Sequence, residues 1–441
     1  MKHANQKGFT LVEMLVGSAV FVVVALAAYQ AFGVLMDITL SARIKVAATE
    51  LANERFEIIR NLPYNDVGIV AGLPVGKIVR VQNIIRDNYS FTVQTTIRSV
   101  DDPFDGKIES NPTDTSPADY KLVDLDITCP NCKNFSALNF TTLIAPHALE
   151  TASNNGALFI KVFDTAGIPL VGTSVHIVNT NTNPDTIVDE ITDNNGWVKI
   201  VDAPPGTNAY NIIATKSGFT TDQTYPLGGI AGATPINPDA TVVVQQVTQA
   251  SLLIDKISLL NVSTVDNTCA ALPNIGFSLT GTKLIGTPAV LKYPTQNFTT
   301  SISGIYIFSN LEWDTYSVLL TSSSYDLAGT TSLPSFSINP SENINLQIIA
   351  VPHINKALLV SVEDSSGNAI NDASIRLQKS GFDETKTTNS LPCATPGEVF
   401  WNGLENDTYT LTVSKTGYQT YINNSLSTSS AWQNQNIILM P

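Results

Sequence analysis

From Met14 to Met36 the chain carries no charged side chain, and between Phe9 and Met36 the single charge is Glu13. That uncharged stretch is 23 residues long, about 35 Å as a helix, which covers a hydrocarbon core of roughly 30 Å. Lys2 and Lys7 precede it without an acid, which places the N-terminus on the cytoplasmic side. A cleaved secretory signal would have an apolar run of about 7 to 15 residues with small residues behind it, and neither is present.

Beyond Met36 the apolar positions thin to Leu40, Ile44, Ala47, Ala48, Leu51, Ile58, Ile59 and Leu62, with Arg43, Lys45, Glu50, Glu54 and Glu57 between them. This spacing is helical and one-faced, so it predicts one long helix from Phe9 to Leu62, stopped by Pro63, whose second half packs on a sheet. Four β-rich runs follow, Val75 to Asp87, Tyr89 to Ser99, Tyr120 to Thr128 and Phe135 to Ile144. A long helix with a small antiparallel sheet is the expected first unit.

From residue 156 the chain repeats. Ala157-Leu158-Phe159-Ile160-Lys161-Val162-Phe163-Asp164 and Gly167 return as Ala357-Leu358-Leu359-Val360-Ser361-Val362-Glu363-Asp364 and Gly367. Gly304, Tyr306, Phe308, Leu311, Asp314 and Tyr316 align without a gap on Gly397, Val399, Trp401, Leu404, Asp407 and Tyr409, and Gly196 with Tyr210 marks the same place in the first copy. Periods of this length suit whole domains rather than solenoid units. Each copy reads as about seven short strands of a β-sandwich with a buried tyrosine.

The expected order is therefore residues 1–8 as leader, 9–36 as membrane and assembly helix, 37–148 as an α+β domain, then three all-β sandwiches at 156–249, 250–354 and 355–441. Short connectors near 145–156, 247–252 and 350–357 favour a semi-rigid rod. The 441 residues hold only 14% charged side chains and a net charge of −14, from 38 acids and 24 bases. No cluster of bases stands out, so nucleic acid has no electrostatic foothold.

Glu13 at membrane depth is the anomaly, since an unpaired carboxylate there is expensive and marks a function or a partner. The surrounding Gly8-Phe9-Thr10-Leu11-Val12-Glu13 resembles the cleavage and methylation motif of type IV prepilins and type II secretion pseudopilins. The resemblance implies that a membrane prepilin peptidase cuts after Gly8 and methylates the amino group of Phe9. It also implies that Glu13 pairs with the N-terminal amine of a neighbouring pilin or pseudopilin subunit on an assembly platform in the membrane. The span lacks the mid-helix proline of many major pilins, and retention of Glu13 argues against the tip-most pseudopilin.

The repeats, with Thr192-Asp193-Asn194-Asn195-Gly196, Pro204-Pro205-Gly206, Tyr210 and Lys216-Ser217-Gly218-Phe219, resemble carboxypeptidase regulatory-like domains, a transthyretin-like sandwich. Related pilus domains crosslink themselves through a Lys, an Asn and a buried acid. Lys161 has the right strand, but its counterpart is Ser361, and Ala214, Leu320 and Val413 stand where an acid is expected, so self-crosslinking is not expected.

Two loops could carry chemistry. Asp101, Asp102 and Asp105 beside Gly106 are a weak calcium candidate; no EF-hand spacing appears, so a solvated acidic turn is the favoured reading. Cys129-Pro130-Asn131-Cys132 sits where a hairpin turns. Zinc would need two further ligands nearby, and a redox pair would open a helix in a βαβ unit, so a disulfide closing the hairpin is expected. His147 and Glu150 match a zinc carboxypeptidase spacing but fall in a connector, and no G-x-S-x-G, P-loop or dinucleotide motif appears. The sequence thus predicts no enzyme and no cofactor. It predicts a minor pilin-like subunit, anchored in the membrane before assembly and outside the cell after it, whose sandwiches serve as a stalk or touch a surface glycan or protein. A secretion pseudopilin, or a membrane-anchored surface-binding protein outside any fibre, are the alternatives.

Overall fold

The computed structural model describes residues 10–441 apart from 105, 112, 134, 147–152, 334, 391–392 and 394. Helix α1 runs Leu11–Arg60, 50 residues or about 75 Å. Thr10 caps it: its Oγ1 accepts from Glu13 N at 3.3 Å, and the Glu13 carboxylate accepts from Thr10 N at 2.9 Å, a reciprocal box that satisfies two otherwise orphaned donors. At the other end Asn61 N donates to Glu57 O at 3.1 Å, and Pro63 stops propagation. The first half of α1 is exposed throughout, including Phe21, Tyr29 and Phe32, whereas Ile44, Ala47, Ala48, Leu51, Ala52, Phe56 and Ile59 are buried.

That buried stripe lies on a four-stranded antiparallel sheet in the order β1 (Val81–Arg86), β2 (Tyr89–Val100), β3 (Tyr120–Thr128), β4 (Leu138–Ile144). Phe91, Val93, Ile97, Val123, Leu125 and Ile127 alternate along their strands and join the helix stripe in one core. Asp87 and Asn88, with φ of 49° and 62°, form the two-residue turn between β1 and β2. The first strand begins later than its β-rich run: Val75 and Ile78 instead bridge to Ile69, folding the chain into a knot of turns below β1.

Three sandwiches follow, built to one plan. In each, the opening strand lies between a mid-domain strand, antiparallel, and the last strand, parallel. Gly156–Phe163 sits between Trp197–Ala203 and Val247–Leu253, Ser258–Val265 between Ile305–Leu311 and Asn343–Pro352, and Lys356–Asp364 between Glu398–Leu404 and Trp432–Leu439. The segment near 247–252, expected as a connector, is this closing strand; parallel pairing with Gly156–Phe163 holds it through Leu253. A second sheet covers each core, and Tyr210, Tyr316 and Tyr409 are buried there. Their hydroxyls close a short local loop, Tyr210 donating to Pro204 O at 2.6 Å, Tyr316 to Glu312 O at 2.9 Å, and Tyr409 accepting from Glu405 N at 3.2 Å.

Gly196, Gly304 and Gly397 share one position with φ of 71° to 75°. A Cβ there would meet the carbonyl of Val162, Thr264 or Val362 at 2.6, 3.0 and 2.6 Å, and the left-handed backbone further disfavours a side chain.

Candidate functional site

Two kinds of site follow from this architecture: the assembly end of α1 and the joints that hold the sandwiches in line. At the assembly end, Glu13 sits one turn into an apolar helix, its carboxylate engaged only by Thr10, with Oε2 accepting from both Thr10 N and Oγ1 at 2.9 Å. Both partners belong to the same helix end, so the carboxylate has no basic partner among the described residues. Gly8 and Phe9 lie outside the described residues.

Cys129 and Cys132 are bonded to each other at the tip of the β3–β4 hairpin, with Cα atoms 5.3 Å apart. This tip rests on the helix just past its apolar half, where Lys133 Nζ lies 3.4 Å from Asp37. In the acidic loop, Asp101 Oδ2 accepts from Ile108 N at 3.1 Å and Asp102 Oδ1 from Phe104 N at 2.9 Å, so both carboxylates cap their own loop. Asp105 lies outside the described residues. Burial pushes Asp101 up to about 6, helped by Asp114 and Asp119 nearby. Among the described residues no group of three or more His, Cys, Asp or Glu is arranged to hold a metal ion. His147 and Glu150 also lie outside the described residues.

The joints are where chemistry concentrates. Between the helix–sheet domain and the first sandwich, Arg80 bonds Asp189 at 2.8 Å and the carbonyl of Ile187, while Ile187 N donates to Ala71 O at 2.8 Å. Arg98 joins Asp124 at 2.5 Å and approaches Glu190 at 3.6 Å. Burial raises the Glu190 carboxyl, and Arg98 partly offsets this. Leu73 enters the core of the first sandwich, and Ile108 covers Ala157, Phe159 and Val201 on its outer face.

Between the first and second sandwiches, Thr234–Pro235 of the first adds as a strand to Leu284–Thr287 of the second. Beside it Glu312, almost fully buried, holds Lys283 at 2.6 Å and Lys292 at 2.8 Å and accepts from the Tyr293 hydroxyl. Burial alone would raise Glu312, but the hydrogen bonds from the two lysines and the tyrosine keep it below the usual range.

The second and third sandwiches share one apolar cluster, in which Leu327, Ala328, Ile349 and Val351 meet Ala357, Leu359 and Phe400. Trp432 Nε1 donates to Leu327 O at 2.9 Å. Glu398 is fully buried at this joint, accepts from Thr330 N at 2.6 Å, and is pushed up to about 8 by burial. It stands 3.5 Å from Ser361 Oγ; this is a buried acid that the strand alignment did not place. A second disulfide, Cys269–Cys393, crosses the same joint over 124 residues of sequence.

Residues 3–29 match the family model described as the prokaryotic N-terminal methylation motif. The chain therefore carries a prepilin-type N-terminus on a helix long and apolar enough to cross a membrane. No curated protein matches the chain. Among solved structures, the chain is similar to the Bacillus anthracis TIE protein (13% identity, 82% of this chain and 74% of that one, TM-score 0.20). It is also similar to a streptococcal ancillary pilin (10% identity, 65% and 99%, TM-score 0.18) and to GBS52, the minor pilin of Streptococcus agalactiae (13% identity, 45% and 97%, TM-score 0.22).

Proposed function

We propose that this chain is a minor structural subunit of a type IV pilus-related fibre, cut after Gly8, methylated on Phe9 and held in the membrane by α1 until assembly. The single observation that carries this reading is the prepilin motif, residues 3–29, running into a capped helix whose apolar first half is exposed and whose second half is packed on a sheet. An apolar helix left uncovered by its own domain needs lipid or other helices around it. Glu13 then finds its countercharge on the amine of a neighbouring subunit, since each charge alone is costly in that environment. Other pilin subunits, the prepilin peptidase and an assembly platform are the partners this requires.

The division into a helix–sheet domain and three sandwiches gives an appendage of 286 residues from 156 to 441. Its bulk on every subunit would crowd a tightly wound fibre, which favours sparse or tip incorporation. Each joint is bonded, so the appendage works as a stiff stalk that carries an attachment surface outward. Antibody against residues 156–441 should decorate sheared fibres sparsely or at their ends. Fibres that never carry the antigen, with all of the protein left in the membrane, would replace this reading with an anchored surface protein.

A further inference from the structure

Because the three sandwiches share one plan, equivalent surfaces can be compared. Leu158, Leu260 and Leu358 are equivalent, as their registers with Ile200, Phe308 and Trp401 require. Outward positions on the opening strands are then Ala157 and Phe159, Leu259 and Asn261, and Ala357 and Leu359. In the first sandwich this face is sealed by the loop bearing Ile108, and Lys199 on it is paired with Glu109 at 2.6 Å. In the third it is sealed by the strand Tyr325–Thr330 of the second.

In the second sandwich the same face is open. Ile305 and Ile307, which face outward beside Ser263 and Asn261, are 44% and 58% exposed, and Ile302 before them is 86% exposed. Next to them runs a row of amides: Asn261 Nδ2 donates to Asn345 Oδ1 at 2.9 Å and to Asn343 Oδ1 at 3.3 Å. The row continues along the closing strand through Gln347 to Ile349 and Val351, which are buried in the joint with the third sandwich. The open area is thus continuous with an interface already in use.

We infer that this face pairs with the same face of a second copy of the chain. Two properties select that occupant. The outward positions Leu259, Asn261, Ser263, Ile305, Ile307, Ser309, Asn343, Asn345 and Gln347 carry no charge in a chain of net charge −14, so two copies meet here without bringing acids together. The face is also self-complementary: asparagine amides both donate and accept, and an isoleucine row packs on its own symmetry mate, as a twofold interface requires. Among the described residues the neighbouring sandwiches are engaged elsewhere, the first through Thr234–Pro235 and the third through Leu359 and Phe400.

The test uses the full chain in detergent micelles with a benzophenone amino acid at position 307, and separately at position 422, an exposed isoleucine of the third sandwich. Light should give a dimer-mass adduct at 307 that joins the probe to a peptide from strand Ile305–Leu311 of the other copy, and none at 422. Adding Ile305→Asp should abolish the adduct while circular dichroism and the denaturation midpoint stay those of the parent, which certifies the fold. Self-association through α1 alone would survive this change in sedimentation, but without the adduct. The inference is overturned if 307 gives no dimer adduct, if the adduct maps to α1, or if fibre-producing cells yield adducts only with a different subunit or a glycan.

Discussion

Cys269 occupies the turn position that Gly167 and Gly367 hold in the sister sandwiches, and it is bonded there to Cys393 of the next one. The three turns are the same: Asp164, Asp266 and Asp364 accept through Oδ1 from the amides two and four residues on, at 2.8 to 3.0 Å. The carbonyls of these aspartates accept from the amides of Gly167, Cys269 and Gly367. Glycine suits the left-handed backbone, yet Cys269 has a φ of 67°. A residue unfavoured locally is held where its sulfur reaches the neighbouring sandwich.

Replacing both cysteines by serine should lower stability against denaturant by about 4 to 5 kcal/mol, the loop-closure effect for a ring of 124 residues. Glycine at 269 with serine at 393 should recover about 0.5 to 1 kcal/mol of that, because the left-handed strain is relieved. In single-molecule stretching, reduction should lengthen the unfolded chain by on the order of 400 Å, from 124 residues at about 3.5 Å each. An unchanged contour length would mean that the bond is absent.

Glu398 makes the same joint sensitive to pH. Its carboxyl rises from 4.5 to about 8 in the folded chain because of burial. The folded state therefore keeps a proton that the unfolded state releases, and the contribution to stability, full below pH 4.5, is lost as pH rises towards 8. Glu398→Gln keeps the neutral, hydrogen-bonding form at every pH. The stability difference between variant and parent should grow by a few kcal/mol from about pH 5 to pH 8.5. Parallel pH profiles would show that Glu398 titrates normally.

Arg80 ties the first sandwich to the helix–sheet domain through Asp189 and Ile187. Arg80→Ala should cost about 1 to 2 kcal/mol locally, discounted for partial exposure. Hydrogen exchange should quicken at the amide of Ile187, which otherwise donates to Ala71, while the core amides of β2 and β3 stay protected. Uniform loss of protection would mean global unfolding instead.

Glu13→Gln should leave membrane insertion unchanged and reduce the amount recovered in fibres, because the carboxylate is useful only where a neighbour's amine is present. Equal recovery would remove the pairing from the mechanism.

Much of this was readable from residue spacing. The helical stripe from Ile44 to Ile59 and the alternation of Phe91, Val93 and Ile97 are short-period patterns, which sequence displays directly. The helix is shorter by two residues at each end, Leu11–Arg60 rather than Phe9 to Leu62, because Thr10 and Asn61 serve as caps. The joints were hidden for a different reason. Cys269 and Cys393 are 124 residues apart, and the signal that links them is a glycine position filled by cysteine, which becomes visible only once the middle copy is aligned at its Asp266 turn. The buried acid of the third sandwich, Glu398, lies on the strand opposite Ser361 rather than four residues beyond Tyr409, so the spacing from the tyrosine does not reveal it.

The N-terminus of the chain as it exists in fibres records whether processing and assembly take place. Mass spectrometry of the protein recovered from sheared, washed fibres should give an N-terminal peptide that begins at Phe9 and carries one added methyl group. A fibre-borne chain that still begins with Met1 to Gly8, or fibres from which the chain is absent while the membrane holds the uncut form, would contradict it.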